Sequence, residues 1–441
     1  MDDVMYLMNS LWTMVAAILV IFMIAGFILL EAGSLRMKNA GHVAGKTIFT
    51  FGLASLVFWA VGYGFIFGEN ANIFVGMSNF FYDGTLTSGD SLAATVFFVF
   101  QLAFAGISIT IALGGFAERA KFSAYVMFTI LFGIFVYPVI AHWIWGGGWL
   151  AEHGKQDFAG STVVHLTGAM AALAATIVLK PRIGKFNSDG SANKFAGHNQ
   201  VYSALAVLIL FVGWLGFNAG STVSVDGAFF GYVALNTVLA ASAGAVAATI
   251  ISWVVLGKSD IPTILNGLLA GLVAITASCA FVDVWASVVI GLIAGVITFF
   301  AARFLEAKQI DDPIFAVSVH GIPGIWGTLS TGFFATGALA ESTGVGRAGL
   351  FYGGGFEQLW VQFMGVAVCS IYAFVVSYVI LVVMKKAMGG IRVSEEEEIM
   401  GLDISEHGGY GYPEHLGAEP STIMSAGKQQ STNAKQQPKH I

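Results

Sequence analysis

Long apolar runs separated by short polar segments dominate the sequence. Eleven of these runs approach or exceed the roughly 20 residues that an α-helix needs to cross the hydrocarbon core of a bilayer. They cover residues 10–31, 43–68, 91–117, 122–145, 158–180, 199–219, 228–256, 261–280, 284–305, 314–336 and 357–386. None shows the alternation of polar and apolar residues that is typical of a membrane β-strand. The pattern therefore predicts an all-α, polytopic membrane protein with eleven transmembrane helices.

Lysine and arginine are distributed unevenly between the loops. The loops on one side hold all of these residues between the predicted spans except Lys155 and Arg347. Because basic loops stay in the cytoplasm, the chain is predicted to lie in the cell membrane with its N-terminus outside and its C-terminus inside. The chain begins with acidic residues, not the basic region of a cleavable signal, so the first run is predicted to be retained.

The composition agrees with a chain that is surrounded by lipid. Hydrophobic residues make up 56% of the 441 residues and charged residues only 10%, whereas soluble domains are about a quarter charged. The net charge of −6 argues against nucleic acid as a partner. Cys279 and Cys369 both lie in apolar runs and are predicted to be buried free thiols. The sequence therefore offers no disulfide framework and no cysteine metal site.

One pair of similar segments recurs at an interval of five predicted spans. The segment 26–33 (GFILLEAG) resembles the segment 213–220 (GWLGFNAG). A repeat with an odd number of spans turns its second copy upside down in the membrane, as in many transporters. We therefore expect two inverted five-helix repeats, at about 10–180 and 199–336, followed by an eleventh span at 357–386. The expected substrate site lies near the middle of the membrane, between the repeats.

Two histidines occupy equivalent positions in these repeats. His165 follows Asp157 by eight residues, and His320 follows Asp312 by eight residues. Ionisable side chains in a bilayer usually face a cavity, a partner or a pathway. Burial favours the neutral imidazole, and two neutral rings can share one N–H···N hydrogen bond. The spacing therefore predicts a histidine pair that lines a pore for a small polar molecule.

Other interpretations of these residues stay open. The histidines could be separate core residues, each bonded to a backbone carbonyl, or axial ligands of a haem in an intramembrane redox enzyme. Asp157 and Asp312 have a structural interpretation, because aspartate is favoured at the N-terminal cap of a helix. We expect both aspartates to cap their spans, with Pro313 at the first helical position of the second.

Aromatic residues cluster near the predicted outer ends of several spans. Phe104, Trp145, Trp214 and Phe217 are examples. Most aromatic residues of a membrane protein serve packing or interfacial belts. A cup of ring faces also attracts a small cation within about 6 Å of a ring centroid. The hydroxyl group of Ser221 could add an acceptor to such a cup.

Five stretches of the sequence resemble the Amt/Mep/Rh family of ammonium transporters, and in particular its bacterial Amt branch. They are FQLAFAGISITIALGGFAER (100–119), HWIWGGGWLAEHG (142–154), DFAGSTVVHLTGAMAAL (157–173), GWLGFNAGS (213–221) and DDPIFAVSVHGIPGIWGTLSTGFFA (311–335). The combination of DFAG-x4-H with GW-x-GFNAGS is the most specific part. The resemblance covers residues from about 10 to 412 and implies transport of ammonium or ammonia, with methylammonium as an analogue.

The resemblance also implies roles for residues at the outer end of a pore. Trp145, Phe104 and Ser221 resemble the family's recruitment site for ammonium, and Asp157 matches an aspartate that shapes this site. Phe104 and Phe217 resemble a gate of two stacked phenyl rings beneath it. We therefore expect an aromatic cup above a phenylalanine gate.

Deeper in the membrane, the resemblance implies a hydrophobic pore. His165 and His320 match the family's twin-histidine pair, and Trp214 matches a pore-lining tryptophan. Members of the family are typically homotrimers with one pore per subunit. The expected protein is a transporter rather than an enzyme, with no cofactor, no metal site and no catalytic residue.

The C-terminal part differs from the transmembrane domain, residues 1–386. Residues 387–412 contain the acidic run Glu395–Glu398 and resemble the family's cytoplasmic regulatory tail, which docks a PII-type nitrogen signalling protein. Residues 413–441 are rich in Gln, Ser and Lys and are predicted to be disordered. A sensor of ammonium that acts through a partner protein is therefore an alternative to a transporter.

Overall fold

The computed structural model describes residues 2–69, 72–84 and 91–412 of the chain. Helices dominate these residues, and the only strand-like pairing recorded among them is three isolated β-bridges. The predicted disordered segment 413–441 lies outside the described residues. The prediction of an all-α, polytopic architecture is confirmed.

Ten helical segments of the described residues are long and apolar enough to cross a membrane. They are α1 (Asp3–Ser34), α2 (Met37–Phe67), α3 (Ala94–Phe116), α4 (Phe122–Glu152), α5 (Ser161–Leu179), α6 (Gln200–Ala219), α7 (Asp226–Leu256), α8 (Ile261–Ser278), α9 (Val284–Ala307) and, after two further α-helices, Glu357–Ala387. The first of these two, α10 (Ile322–Phe334), continues from a π-helical turn, Val317–Gly321, and the second is the short helix Gly337–Thr343. We number the last long helix, Glu357–Ala387, α11.

The helix α10 and the turn before it coincide with the run predicted at 314–336. This region is helical, but it is not one of the ten apolar segments. Its histidine, proline, serine and threonine residues make it more polar than the other predicted spans. The count of eleven spans therefore stays a prediction, whereas ten of the spans are confirmed as candidates.

Glycine lets neighbouring helices pack backbone to backbone. A Cβ atom on Gly271 of α8 would lie 2.2 Å from the carbonyl oxygen of Ala240 of α7. No larger residue fits at such a contact. Lipid supplies no hydrophobic force between helices, so close packing of this kind is a main source of stability.

The helices α1 and α6 contact each other reciprocally through the two similar segments. A Cβ atom on Gly26 would lie 2.8 Å from Cγ of Leu210, and one on Gly213 would lie 2.1 Å from Cγ of Met23. Each glycine therefore packs against the residue three positions before the other glycine. This reciprocity is what a twofold axis between two inverted repeats would produce.

A buried cluster of ion pairs joins the loops at one face of the molecule, which we call the arginine face. The Arg182 guanidinium bonds to Glu118 at 2.8 Å and to both carboxylate oxygens of Asp311 at 2.8 Å. Arg36 also bonds to Glu118, and Arg119 to Asp311. Burial raises the pKa of each carboxyl, but the arginine charges and hydrogen bonds outweigh it and lower the pKa of both to about 2. Both carboxylates are therefore ionised and paired.

The end of the described chain packs on the arginine face through two short helices, α12 (Glu395–Met400) and α13 (Leu402–His407). The Asp403 carboxylate accepts hydrogen bonds from the backbone N–H groups of Gly41 and His42, at 3.1 and 2.7 Å. The His42 Nδ1 atom lies 2.9 Å from Nε2 of His407. In α12, Glu398 pairs with Arg392 at 2.7 Å. These residues hold the segment against the start of α2.

Candidate functional site

Three π-helical turns carry three of the residues that the sequence marked as a site. They cover Ser161–Leu166, Leu215–Ala219 and Val317–Gly321. A π-helical turn departs from the regular α-helical hydrogen bonding and is frequent at functional sites. His165, Phe217 and His320 each lie in one of these turns.

Asp157 caps the first of these turns from outside the helix. One carboxylate oxygen accepts hydrogen bonds from the backbone N–H groups of Thr162 and Val163, at 3.0 and 2.9 Å. Asp157 is buried, and its other carboxylate oxygen has no hydrogen-bond partner among the residues that the structure describes. The residue satisfies unpaired donors at a helix start, as predicted, although Gly160 occupies the N-cap position itself.

Asp312 caps the π-helical turn of His320 in the same manner. Its carboxylate accepts from the N–H groups of Val317 and Ser318, at 3.0 and 3.1 Å. Pro313 does not occupy the first helical position, so that expectation was wrong. Pro313 lies in a turn before the helix, and Phe315, which stands between Pro313 and the helix, has a positive φ of 61°. The chain therefore needs a turn before it can enter the helix.

His165 and His320 face each other in the middle of the molecule. Their Nδ1 atoms lie 3.2 Å apart, and their rings are nearly parallel, with an angle of 10° and centroids 5.2 Å apart. Both side chains are buried. One proton between the two Nδ1 atoms makes one ring a donor and the other an acceptor. The Nε2 atom of His165 is buried and has no hydrogen-bond partner in the described part of the chain, so it can bond a small guest.

The contact between the histidines decides between the interpretations that the sequence left open. The rings bond to each other, so they are not separate core residues bonded to backbone carbonyls. A metal ion between two imidazoles needs a bond of about 2.0–2.1 Å to each nitrogen. The two axial ligands of a haem lie on opposite sides of the iron, so their nitrogen atoms would be about 4 Å apart. The observed separation of 3.2 Å is too short for that arrangement. The haem interpretation therefore does not fit these two nitrogens.

Trp214 extends this group of parallel rings. Its ring is stacked on His165, with centroids 5.0 Å apart and an angle of 14°. The indole N–H donates to Oγ1 of Thr276 at 2.8 Å, which fixes the orientation of the tryptophan. Phe217 lies on the same histidine, with centroids 5.4 Å apart.

Phe104 continues the path away from the histidines. Its ring lies 4.1 Å from that of Phe217 and 5.7 Å from that of Trp145, measured between centroids. The Trp145 indole N–H donates to the backbone carbonyl of Asp157 at 2.9 Å. Phe104 and Phe217 are both buried, whereas Trp145 is partly exposed. Ring contacts thus run without a break from the partly exposed Trp145 to the histidine pair.

Ser221 lies one turn beyond Phe217, at the end of α6. Its hydroxyl group donates to the backbone carbonyl of Phe217 at 2.7 Å. The side chain is partly exposed. The oxygen keeps its lone pairs, so Ser221 can still accept a hydrogen bond from a donor near the mouth of the path.

Phe27 belongs to the same site, and the sequence reasoning missed it. Its ring lies 6.5 Å from that of His320. Phe27 follows Gly26 as Trp214 follows Gly213, so the two aromatic residues are equivalent in the repeats. Each therefore lies next to the histidine of the other repeat. The alignment of segment 26–33 with segment 213–220, which places Phe27 opposite Trp214, could have identified Phe27 from the sequence.

The fold and the site together define a multi-pass membrane protein with a buried histidine pair and a continuous series of aromatic rings inside it. Among known protein families, the Ammonium Transporter Family matches residues 11–412, and the chain belongs to this family. This is a family of membrane transport proteins and not of enzymes. The resemblance found in the sequence is confirmed.

Named relatives support this assignment. The chain is 42% identical to the ammonium transporter Amt2 of Archaeoglobus fulgidus, over 93% of this chain and 89% of the relative. It is 34% identical to the ammonium transporter of Bacillus subtilis, over 92% of this chain and 99% of the relative.

Solved structures share the fold. One of them, a Sensor Amt Protein, has a TM-score of 0.86 and 37% identity and covers 92% of this chain and 100% of its own. The crystal structure of Mep2 from Candida albicans has a TM-score of 0.82 and 30% identity, covering 88% of this chain and 87% of its own.

Proposed function

We propose that the protein carries ammonium nitrogen across the cell membrane, with its N-terminus outside and the arginine face in the cytoplasm. Its membership in the ammonium transporter family supports this function. The observation that carries the mechanism is the buried contact of 3.2 Å between His165 and His320. Basic residues concentrate on the arginine face, which supports the orientation.

In this proposal, recruitment takes place at the outer end of the ring series. Trp145 and Phe104 present aromatic faces to an ammonium ion, and Ser221 offers a hydroxyl acceptor. Asp157 holds the indole of Trp145 through its backbone carbonyl. Phe104 and Phe217 then close the path as a gate, since their rings leave no open channel between centroids 4.1 Å apart.

Selectivity follows from the chemistry beyond the gate. A bare cation is costly in a low-dielectric path without water. Ammonium can give up a proton to water at the partly exposed Trp145 end and continue as ammonia, which both donates and accepts hydrogen bonds. The histidine pair, with Trp214 stacked on it, offers one nitrogen of each kind to such a guest. Potassium can neither lose a proton nor donate a hydrogen bond, so the same path excludes potassium.

The test is uptake of labelled methylammonium by the purified protein in proteoliposomes, with current recorded in parallel. Replacing both His165 and His320 by alanine should abolish the discrimination between methylammonium and potassium. The control is His153→Ala, which changes an exposed histidine on the outer face. Unchanged uptake and unchanged discrimination in the double variant would rule out this mechanism.

Sensing is a second candidate function, because the chain is similar to a protein described as a Sensor Amt Protein. The same experiment separates the two functions. A sensor would bind methylammonium without net uptake, whereas a transporter produces flux. Further expectations from the resemblance are a homotrimer and docking of a PII-type protein at residues 387–412; both remain proposals.

A further inference from the structure

Lys155 is a buried lysine near the outer mouth that the transport mechanism does not use. It lies between α4 and α5, and its side chain is 1% exposed. The aliphatic part packs against Gly365 of α11, where a Cβ atom would lie 2.3 Å from Cε and 2.5 Å from Cδ of the lysine. The glycine therefore leaves room for this side chain, and the lysine occupies a fitted site.

The ammonium group of Lys155 has few partners. Nζ donates to Oγ1 of Thr162 at 3.1 Å, and that hydroxyl also contacts Oγ1 of Thr328 at 2.7 Å. Within the described part of the chain, no carboxylate oxygen lies within 4.0 Å of Nζ. Asp157 is the acidic residue whose charge acts on the lysine. Both residues are buried, and the backbone carbonyl of Asp157 accepts a hydrogen bond from the indole of Trp145.

The inverted repeat supplies an internal control for the function of this lysine. Asp312 caps its helix with the same two hydrogen bonds as Asp157, at nearly the same distances. The residue equivalent to Lys155 in that repeat is Ile310. The cap therefore forms without a lysine, and holding the cap does not explain why Lys155 is present.

The charge of Lys155 does have a clear consequence. Burial lowers the pKa of the Lys155 ammonium and raises the pKa of the Asp157 carboxyl, while each charge opposes the effect on the other. With the lysine protonated and the carboxyl ionised, the two residues together carry no net charge. Without the lysine, an ionised Asp157 would leave an uncompensated negative charge on a residue that bonds the Trp145 indole through its backbone carbonyl.

We propose that Lys155 determines selectivity at the outer mouth by cancelling the charge of Asp157. A bare carboxylate attracts every monovalent cation, and it acts over several ångströms in a medium of low dielectric. With its charge cancelled, recruitment depends on the rings and on hydrogen-bond acceptors such as Ser221. Lys155 thus lowers affinity for cations in general and limits competition by potassium. This inference rests on the proposed transport function.

The test compares methylammonium uptake by wild type and variants of the full chain in proteoliposomes, with and without potassium outside. Lys155→Met keeps the aliphatic length and removes the charge. Its KM for methylammonium should fall about three- to tenfold, and potassium should inhibit it more strongly by a similar factor, as expected for one partly screened charge. Asp157→Asn leaves the lysine uncompensated, so its KM should rise.

The double variant Lys155→Met/Asp157→Asn separates a charge effect from a packing effect. Both charges are gone, so KM and potassium inhibition should return toward wild-type values. Lys155→Arg keeps the charge and should retain discrimination against potassium. If the methionine variant does not fold, Lys155→Gln in the same cycle provides the neutral side chain.

Two results would overturn the inference in different ways. Equal KM and equal potassium inhibition in wild type and Lys155→Met would reject the role of Lys155 and leave the transport function intact. If the double variant has a higher KM for methylammonium than either single variant, the role of Lys155 is in packing and not in charge compensation. Absence of uptake by wild type would instead reject the proposed function, and the role of Lys155 with it.

Discussion

At the residue scale, Phe217 connects Phe104, its partner in the proposed gate, to the histidine pair, because it contacts both Phe104 and His165. Phe217→Ala removes a fully buried ring and opens the path above the histidines to water. We expect the variant to conduct potassium, which the wild type should exclude. Loss of a buried phenylalanine also costs about 3–5 kcal/mol of stability. Potassium flux into proteoliposomes measures the first effect, and the thermal midpoint in detergent measures the second.

A matched control separates these two effects of the alanine substitution. Phe128 is also fully buried, but it packs against Phe116 and Phe132, away from the histidines. Phe128→Ala should lower the thermal midpoint by a similar amount without a potassium leak. Equal leakage in both variants would mean that general loosening, and not the gate, controls potassium.

The sequence predicted the residues that carry chemistry better than the residues that hold them. His165 and His320 could be paired from sequence alone, because equal spacing from two aspartates marked them as equivalent. Thr276 gave no such signal, since a threonine in an apolar helix commonly bonds its own backbone. The packing of Lys155 against Gly365 depends on residues far apart in the chain. Such a contact is visible only once the helices are arranged.

At the scale of elements, the ion-pair cluster at the arginine face fixes the loops after α3 and α5. Its carboxylates have folded-state pKa values of about 2, below the ordinary 4.5 of Glu118 and 3.8 of Asp311. A lowered pKa stabilises the fold above the ordinary pKa, and this contribution is lost as the pH falls toward 2. The temperature of half-unfolding in detergent should therefore decrease as the pH is lowered from about 4.5 to about 2.

Glu118→Gln tests the cluster directly. The variant leaves Arg36 and Arg182 short of a buried counter-charge, which costs about 3–5 kcal/mol at neutral pH. Its midpoint should be lower than that of wild type at pH 7 and should fall less in acid. The control is Glu306→Gln, because Glu306 pairs with Lys185 but is 49% exposed, and exposed pairs contribute about 0–1 kcal/mol. Equal losses in the two variants would contradict a special role for Glu118.

Hydropathy located the helices but not their irregular turns. The predicted ends at 91–117 and 199–219 agree closely with α3 and α6, since lipid requires long apolar helices. The π-helical turns at His165, Phe217 and His320 have no hydropathy signature. Their geometry arises from caps and contacts between helices, as when Asp157 holds two N–H groups five and six residues ahead.

At the scale of the whole molecule, the predicted inverted repeats account for the position of the histidine pair and the rings beside it. Trp214 of one repeat stacks on His165 of the other, and Phe27 lies beside His320 in the reciprocal arrangement. The site therefore exists only at the interface between the halves. The two predicted repeats are not identical, since Ile310 stands at the position equivalent to Lys155.

The packing of α12 and α13 on the arginine face leads to a prediction about the whole chain. The buried Asp403 carboxylate accepts from the N–H groups of Gly41, His42 and Gly411, so a residue near the end of the chain caps the first turn of α2. Hydrogen bonds to a charged group contribute about 1.5–3 kcal/mol each. Asp403→Ala should therefore release residues 395–412 and raise amide hydrogen exchange there and at the start of α2.

Hydrogen exchange followed by mass spectrometry measures this release peptide by peptide. Glu396→Ala is the control, since Glu396 is exposed on the neighbouring helix α12 and should leave the exchange unchanged. Slow exchange of residues 395–412 in Asp403→Ala would mean that Arg392, Glu398 and the histidine contact hold the segment without the cap. Because the Asp403 cap joins residues 395–412 to α2, release of residues 395–412 should also loosen the start of α2. A change confined to residues 395–412 would therefore contradict the coupling.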